Sequence, residues 1–498
     1  MMNETEEFFG IDFGTTCCAM VNNSLNNSTK KYSLIEYGDD NGKPIPSVVA
    51  IDKNTGEVYT GRAAWRKKNE LTDSCEVFSS IKTVIDSQRG RYIGDKYWTP
   101  VDIASEIFKA LKKEAQKEKS DLSEATVAIP VGFSAQKRKN LREAARCAGI
   151  EITSFISEPT AAFFANYDEL KSASVVAVFD WGGGTLDVSV MQNDNGKITE
   201  LATGGQNVAG DAIDEKIARR IYAKIARKKG YTQSFDELDS KEKDKLLINA
   251  ETAKIELGEE EEADVIFFFD GKMIKETLEY DWFEDIVAPE VEMALNCLEK
   301  TINQSGLNRA NIDRILLVGG SSNLRPLLWK MEEKYGDKLY CPEKTEWNVG
   351  EGAAKLMSHP GEYYSAQSVG VVLADKIIEE KNERHEKEYK ILESHLEMLA
   401  KGTPLKDWKK TFHFGIVDTS KEAQFIFCGS EDINELQDRY KTLTIDAYSF
   451  LQEKIIAEAS VDKDGIFSVT AYSSMRPKEK HRIWEYTQLK TIYVLPKV

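Results

Sequence analysis

Three short stretches of this 498-residue chain end an apolar run on glycine and hydroxyl residues, and two of them add aspartates. In VVAVFDWGGGTLDVSVMQ (175–192), two apolar runs flank Gly182, Gly183, Gly184 and Thr185, with Asp180 before the break and Asp187 after it. In FFGIDFGTTCCAMV (8–21), Asp12 precedes Gly14, Thr15 and Thr16 between two apolar runs. In RILLVGGSSNLRP (314–326), an apolar run ends on Gly319, Gly320 and Ser321. Glycine lets backbone N–H groups converge on an anion, and a threonine hydroxyl adds a donor. The aspartates would repel bare phosphate unless a divalent cation sits between them. Mg²⁺ suits that place, because it prefers oxygen ligands and keeps most of its waters. One such turn reads equally well as an ordinary tight hairpin. Three of them suggest two similar halves that hold a nucleotide phosphate across a cleft.

The flanking sequence supplies the elements that would position these residues. The apolar runs 175–179 and 188–191 are rich in β-branched residues and read as strands. KPIPSVVAI (43–51) and EVYTGRAAWRKK (57–68) read as strand then helix. Helical spacing marks 101–119 and 134–150, the second closed by Gly149. SFISEPTAAFFANY (154–167) reads as a strand, then Glu158 and Pro159 at a helix start, where proline and an acid are both favourable. Residues 205–305 read as mostly helical, with GEEEEAD (258–264) as a solvated loop or helix end and Pro289 as an interruption. Residues 342–358 read as a last helix, with Gly350 and Gly352 at its start. From about 369 onward, six β-like runs appear, with a hairpin turn at Asp464–Gly465. KIIEEKNERHEKEYK (376–390) reads as a charged, exposed insertion. The segment 359–367 gathers Pro, Gly and polar residues and reads as a boundary.

Bulk properties narrow the classes. A net charge of −17 argues against a phosphate-backbone or anionic-membrane partner. The seven cysteines lack metal-ligand or CxxC spacing, which fits a reduced, cytoplasmic setting. The acidic start MMNETEEFFG does not read as a signal peptide, and no apolar run reaches the length of a membrane span.

GIDFGTT, FISEPTAAFFA, FDWGGGTLDVSV, VAGDAID, AETAKIELG and LVGGSSNLRP follow one another in this order. The set resembles the heat shock protein 70 (DnaK-type) chaperones of the actin and sugar-kinase ATPase superfamily. The resemblance is strong over 8–358 and weaker beyond. It implies an α/β actin-like (ribonuclease H-like) two-lobe ATPase over 1–360, a linker at 361–368, and a smaller all-β sandwich over 369–498 without a helical lid. It implies ATP or ADP and Mg²⁺ as ligands. Gly14, Thr15, Thr16 and Gly182, Gly183, Gly184, Thr185 would form the phosphate loops, and Asp12 and Asp187 would hold hydrated Mg²⁺. Lys82, in SSIKTVI, would reach the γ-phosphate, and Glu158 and Asp180 would lie near the attacking water. Glu251 and Lys254 would grip the ribose, and Gly319, Gly320 and Ser321 would form the adenosine-side turn. Pro130 and Arg138 match the pair that relays nucleotide state.

Some positions depart from the family pattern. Asn323 stands where the family has an adenine-stacking arginine, Gly258 where it has a serine, and Cys17 where it often has tyrosine. Cys17 reads as a small packed thiol. EYYSAQ (362–367) replaces an apolar linker, which leaves interdomain coupling in doubt. The implied function is an ATP-driven chaperone that binds unfolded or extended peptide segments, with a J-domain co-chaperone and a nucleotide exchange factor as further partners. The competing reading is a nucleotide-gated scaffold with one dedicated partner and slow or absent hydrolysis. The β-rich tail and the EPTAA segment disfavour a sugar kinase, and the tail disfavours an actin-like filament protein.

Overall fold

The apolar run ending at Asp12 folds as strand β1, Phe9–Phe13, and the run after Thr16 as β2, Cys17–Asn26, so Gly14–Thr16 is the turn of an antiparallel pair. This arrangement comes from a computed structural model that describes residues 5–39, 42–70, 74–269, 272–381, 387–415, 422–430, 438–447, 452–479, 482–486 and 489–496. Strand β3, Lys31–Tyr37, continues the sheet beyond β2. On the other side β1 runs parallel to β4, Glu124–Ile129, which runs parallel to β5, Glu151–Ser157. Helices α1 (Gly61–Glu70), α2 (Ile81–Val84), α3 (Pro100–Lys117) and α4 (Ala135–Cys147) belong to this half. Helix α3 starts on a capping box between Thr99 and Asp102 with Pro100 in its first turn, which satisfies donors the helix itself cannot. A Ser134 cap opens α4, and Gly149 follows its end at φ +70°. Phe9, Phe13, Phe108 and Leu111 anchor a core on this sheet.

Helix α5, Glu158–Ala165, leads into the second half, which repeats the plan. Strand β6, Val175–Trp181, pairs antiparallel with β7, Leu186–Asp194, which neighbours β8, Lys197–Gln206. Helices α6 (Gly210–Lys229) and α7 (Ser240–Glu256) follow. Strands β9 (Glu262–Phe269) and β10 (Lys272–Glu279) then form a hairpin that leads into α8, Tyr280–Gln304. Strand β11, Arg314–Val318, lies parallel to β6, as β4 does to β1. Asp12 and Asp180 are both the next-to-last residue of their strand, so the two halves present an aspartate at the same place. Helices α9 (Arg325–Tyr335) and α10 (Asn348–Ser358) complete the half. Helix α10 crosses α5 at backbone distance: a Cβ on Gly352 would lie 1.8 Å from the Ala161 carbonyl oxygen.

Two expectations fail in this half. Residues 262–279 are a β-hairpin rather than helix or loop. Ala263, Val265 and Phe267 are buried while Glu262, Asp264 and Ile266 are exposed, a period-2 pattern that the apolar run VIFFF conceals. Pro289 does not interrupt α8, which is continuous through it. Pro289 is exposed, so the carbonyl that loses its donor can turn to water.

By contacts the chain separates into two compact units, Met1–Asn195 with Glu200–His359, and Gly196–Thr199 with Pro360–Val498. In the second unit, residues 361–368 hold a short strand, β12 (Glu362–Ser365), and Ser365 and Gln367 are buried. One antiparallel sheet contains β13 (Ser368–Lys381), β14 (Lys387–Leu399), β16 (Glu422–Ser430) and β17 (Asp438–Asp446), in the order β14-β13-β16-β17. The other contains β15 (Lys409–Gly415), β18 (Lys454–Val461), β19 (Phe467–Ser473) and β20 (Arg482–Tyr486) in chain order. Strand β21, Thr491–Val494, pairs with β12. Both sheets contribute to one apolar core, in which Phe427 of β16 stacks on Trp484 of β20 with ring centroids 4.0 Å apart. Most of the segment read as a charged insertion is strand: Lys376–Lys381 pairs with Lys387–Leu392, and 382–386 lie outside the described residues.

Candidate functional site

A cleft of about 1470 Å³ lies within the first unit, and all the residues expected to form the site line it. From the first half come Asp12, Gly14, Thr15, Thr16 and Lys82, and from α5 comes Glu158. The second half supplies Asp180, Gly182, Gly183, Gly184, Thr185, Asp187, Glu251, Lys254, Gly319, Gly320 and Ser321. Pro130 also lines the cleft, whereas Arg138 does not.

The two glycine–threonine turns touch. A Cβ on Gly183 would lie 2.7 Å from Thr16 Oγ1, and one on Gly184 would lie 2.9 Å from Thr15 Cγ2. Only glycine fits at these two positions with the threonines where they are. The carbonyls of the second turn are tied back: Gly182 O accepts from Ser321 Oγ at 2.8 Å and Gly183 O from the Asp211 N–H at 2.8 Å. The third glycine turn therefore braces the second. In the first turn, Ser47 Oγ donates to Gly14 O at 2.8 Å.

Lys82 projects from a single helical turn whose leading residue, Ser80, is held at φ +55°. Positive φ costs energy for a residue with a Cβ, and such strain recurs at functional sites. Lys82 Nζ donates to Glu158 Oε1 at 2.6 Å, and both side chains are buried. Burial works against the Lys82 ammonium, but Glu158, Asp12 and Asp187 outweigh it and hold the charge. Glu158 is pushed up to about 7 by burial and by Asp12 and Asp187, against the pull of Lys82. Burial also raises Asp12, which Lys82 opposes. Asp180 is raised well above the usual carboxylate range by burial and by Glu158, Asp12 and Asp187. Burial raises Asp187, against a hydrogen bond from Thr185. Asp180 and Asp187 face each other across the β6–β7 pair, an unfavourable pairing of like charges.

This donor set fits a hydrated divalent cation with phosphate. Carboxylates outnumber cationic side chains on the cleft walls. The buried Thr16 Oγ1 has no hydrogen-bond partner among the described residues. Among those residues no three His, Cys, Asp or Glu side chains form a direct metal cage, so a cation here would keep its waters, as Mg²⁺ does.

Lys254, also on the cleft wall, is engaged by a residue to which the sequence analysis gave no role. Its Nζ lies 2.8 Å from Asp214 Oδ1, in a pair linking α6 and α7. Asp214 is the last residue of VAGDAID, and its acid in a quoted motif was the available signal. Burial pushes Asp214 up to about 7 against the pull of Lys254. Between an unfolded value near 3.8 and a folded value near 7, the folded chain keeps a proton that the unfolded chain has released. Stability therefore falls as pH rises through that window. Relative to Asp214→Asn, the unliganded wild type should lose on the order of 2 kcal/mol between pH 5 and pH 8 in chemical denaturation. Parallel pH profiles of the two proteins would contradict this.

Asn323 Nδ2 donates to Thr345 Oγ1 at 2.9 Å, and the Cys341 thiol lies 3.6 Å from Asn323 Oδ1. The carboxamide is thus held at the wall of the cleft, which Gly258, Leu324 and the 54% exposed Ile255 also line. Cys17 lines the cleft, and burial raises its thiol far above the ordinary value, so it is a protonated packing group. No cysteine forms a disulfide. No helix among the described residues is long and apolar enough to cross a membrane.

The family model for Hsp70 protein matches residues 88–354. The chain is 30% identical over 387 residues to the chaperone protein DnaK of Thermosipho africanus, covering 75% of this chain and 62% of that protein. It is 29% identical over 386 residues to DnaK of Thermosipho melanesiensis and 30% identical over 387 residues to DnaK of Thermotoga neapolitana, in each case covering 75% of this chain and 63% of the relative. The chain thus spans less than two-thirds of the length of the curated relatives it matches. The matched span carries the second glycine turn, Glu158 and the helix of Lys254, and by these matches the chain belongs to the Hsp70 family.

Proposed function

We propose that this chain is an ATP-binding and ATP-hydrolysing chaperone of the Hsp70 type, acting with Mg²⁺ in the cytoplasm. Its first 360 residues would be an actin-like, ribonuclease H-like two-lobe ATPase. Residues 369–498 would be a β-sandwich that binds an extended segment of an unfolded client, and 361–368 would be the join. The observation that carries the reading is the meeting of two glycine–threonine turns beside a buried Lys82–Glu158 pair in one cleft. The Hsp70 family, which binds ATP or ADP with Mg²⁺, supports the choice of nucleotide.

In this reading Gly14, Thr15 and Thr16 on one side, and Gly182–Thr185 on the other, grip the phosphates, while Asp12 and Asp187 hold the hydrated Mg²⁺. Bound there, Mg²⁺ would supply neutralising charge to the phosphate oxygens. Lys82 meets negative charge at the terminal phosphate. Glu158 and Asp180 orient the attacking water, and Glu158, pushed up to about 7, is suited to accept its proton. Glu251 and Lys254 contact the ribose, with Asp214 holding Lys254 in place. Gly319, Gly320 and Ser321 border the nucleoside. With Asn323 carrying no cation, adenine is held by packing and polar contact rather than by a stacked arginine. The β domain grips its client through strand-like hydrogen bonds and side-chain pockets. A J-domain co-chaperone and a nucleotide exchange factor are the partners such a cycle would use.

The test is peptide affinity with and without Mg²⁺–ATP. Fluorescence anisotropy on a panel of short apolar peptides should show binding to several, with affinity falling at least about tenfold when Mg²⁺–ATP is added. Hydrolysis without any peptide binding would instead favour a nucleotide-gated scaffold with one dedicated partner.

A further inference from the structure

Next to the cleft lies a polar cluster for which the hydrolysis scheme has no use. Glu200 of β8 is a partly buried carboxylate, and burial pushes it above the ordinary glutamate value. The Ser157 hydroxyl donates to its Oε1, and the Thr160 hydroxyl lies 3.4 Å from the same atom. Arg138, absent from the cleft wall, is the cation that opposes the burial effect. Ser157 is also the N-cap of α5, accepting the Thr160 backbone N–H at 3.3 Å. The residue after Ser157 is Glu158, the buried partner of Lys82.

We propose that Glu200 is a positioning residue for the Lys82–Glu158 pair. A serine cap holds a helix start only while its hydroxyl keeps one rotamer. Ser157 Oγ also lies 2.8 Å from Thr160 Oγ1, but the Glu200 carboxylate is the stronger acceptor, so one oxygen accepts the helix N–H while its proton goes to the carboxylate. The first turn of α5 carries Glu158, and the direction in which Glu158 meets Lys82 follows from it. A neutral acceptor would cap the network at lower desolvation cost. The carboxylate brings a stronger, charge-assisted bond from Ser157 and the attraction of Arg138. Glu200 is not among the residues that line the cleft, so its effect is on alignment and not on nucleotide grip.

The proposal rests on the hydrolysis reading, and the experiment separates the two. Full-length wild type, Glu200→Ala and Glu200→Gln are assayed for steady-state Mg²⁺–ATP hydrolysis. Without nucleotide, acylation of Lys82 by an amine-reactive ester is followed by peptide mass spectrometry. Glu200→Ala should lower kcat about tenfold with KM within about twofold, and should speed Lys82 acylation severalfold as the ion pair loosens. Glu200→Gln, which keeps an acceptor for Ser157, should restore most of both. Wild-type kcat and acylation in Glu200→Ala, or a Gln variant as impaired as the Ala variant, would overturn the proposal. Should Glu200→Ala not fold, Ser157→Ala removes the same bond from the other side and should give the same split. Absence of hydrolysis in wild type would end the hydrolysis reading, while the acylation rates would still decide the positioning role.

Discussion

Lys82→Ala is expected to reduce Mg²⁺–ATP hydrolysis by about 10²- to 10³-fold, the range for removing one preorganised charge from a phosphoryl-transfer or oxyanion site. The size follows from where Lys82 sits. It is the buried cation paired at 2.6 Å with Glu158, in a cleft otherwise dominated by carboxylates. Two other lysines of the cleft wall are engaged elsewhere: Lys254 is held by Asp214, and Lys137 donates to the Thr83 carbonyl at 2.9 Å. The variant should still fold. Removing one partner of a buried ion pair normally strands a charge, at about 3–5 kcal/mol. Glu158 avoids most of that cost, because it is already raised to about 7 with Lys82 present and will keep its proton at neutral pH without it. Nucleotide affinity should change by less than about tenfold, since in the proposed site the glycine turns and not Lys82 would hold most of the phosphate contacts. Circular dichroism, calorimetry and a phosphate-release assay read these three quantities separately. Unchanged turnover would remove Lys82 from the reaction.

The second large effect is steric. Gly183→Val should weaken Mg²⁺–ATP binding by about 100-fold or more, about 2.7 kcal/mol at the least. A Cβ there would sit 2.7 Å from Thr16 Oγ1, 2.9 Å from Cγ2 and 3.0 Å from Cβ, and valine adds two methyl groups beyond it. The second turn is tied to α6 and to Ser321, so it cannot move away without breaking those bonds. The two turns must part, and a displacement near 1 Å in a positioning contact costs on the order of 10²-fold. Gly132→Ala is the matched control: it lies on the cleft wall, and a Cβ there meets nothing within 4 Å. Equal affinities for the two variants would mean that the contact between the turns does not shape the phosphate site.

Much of the site could be read from sequence because its chemistry is local. Asp12, Gly14, Thr15 and Thr16 lie within five residues, as do Gly182, Gly183, Gly184 and Thr185, and the shared strand–turn–strand plan foretold that the two turns would face each other. The next-to-last position of Asp12 and Asp180 in equivalent strands gives that repetition its physical form. What stayed hidden was not local. Asp214 and Lys254 meet because α6 and α7 pack side by side, and neither residue's spacing announces the other. Glu200 reaches Ser157 from a different strand, across 43 residues of sequence. The hairpin at 262–279 was masked by VIFFF, whose buried and exposed residues are all apolar, so alternation left no polar signature. Pro289 was a local rule overridden by an exposed position on a long, well-packed helix. In the second unit, Glu362–Ser365, inside the 361–368 segment read as a linker, pairs with Thr491–Val494 more than a hundred residues later, a partner that local sequence does not announce.

Isothermal titration of the full chain with ATP, in excess Mg²⁺ and again in EDTA, tests the central claim most directly. Because carboxylates dominate the cleft, the triphosphate should bind with one-to-one stoichiometry when Mg²⁺ is present, and at least about tenfold more weakly when it is chelated. No binding heat with Mg²⁺ at several temperatures, or identical isotherms with and without the metal, would contradict the account.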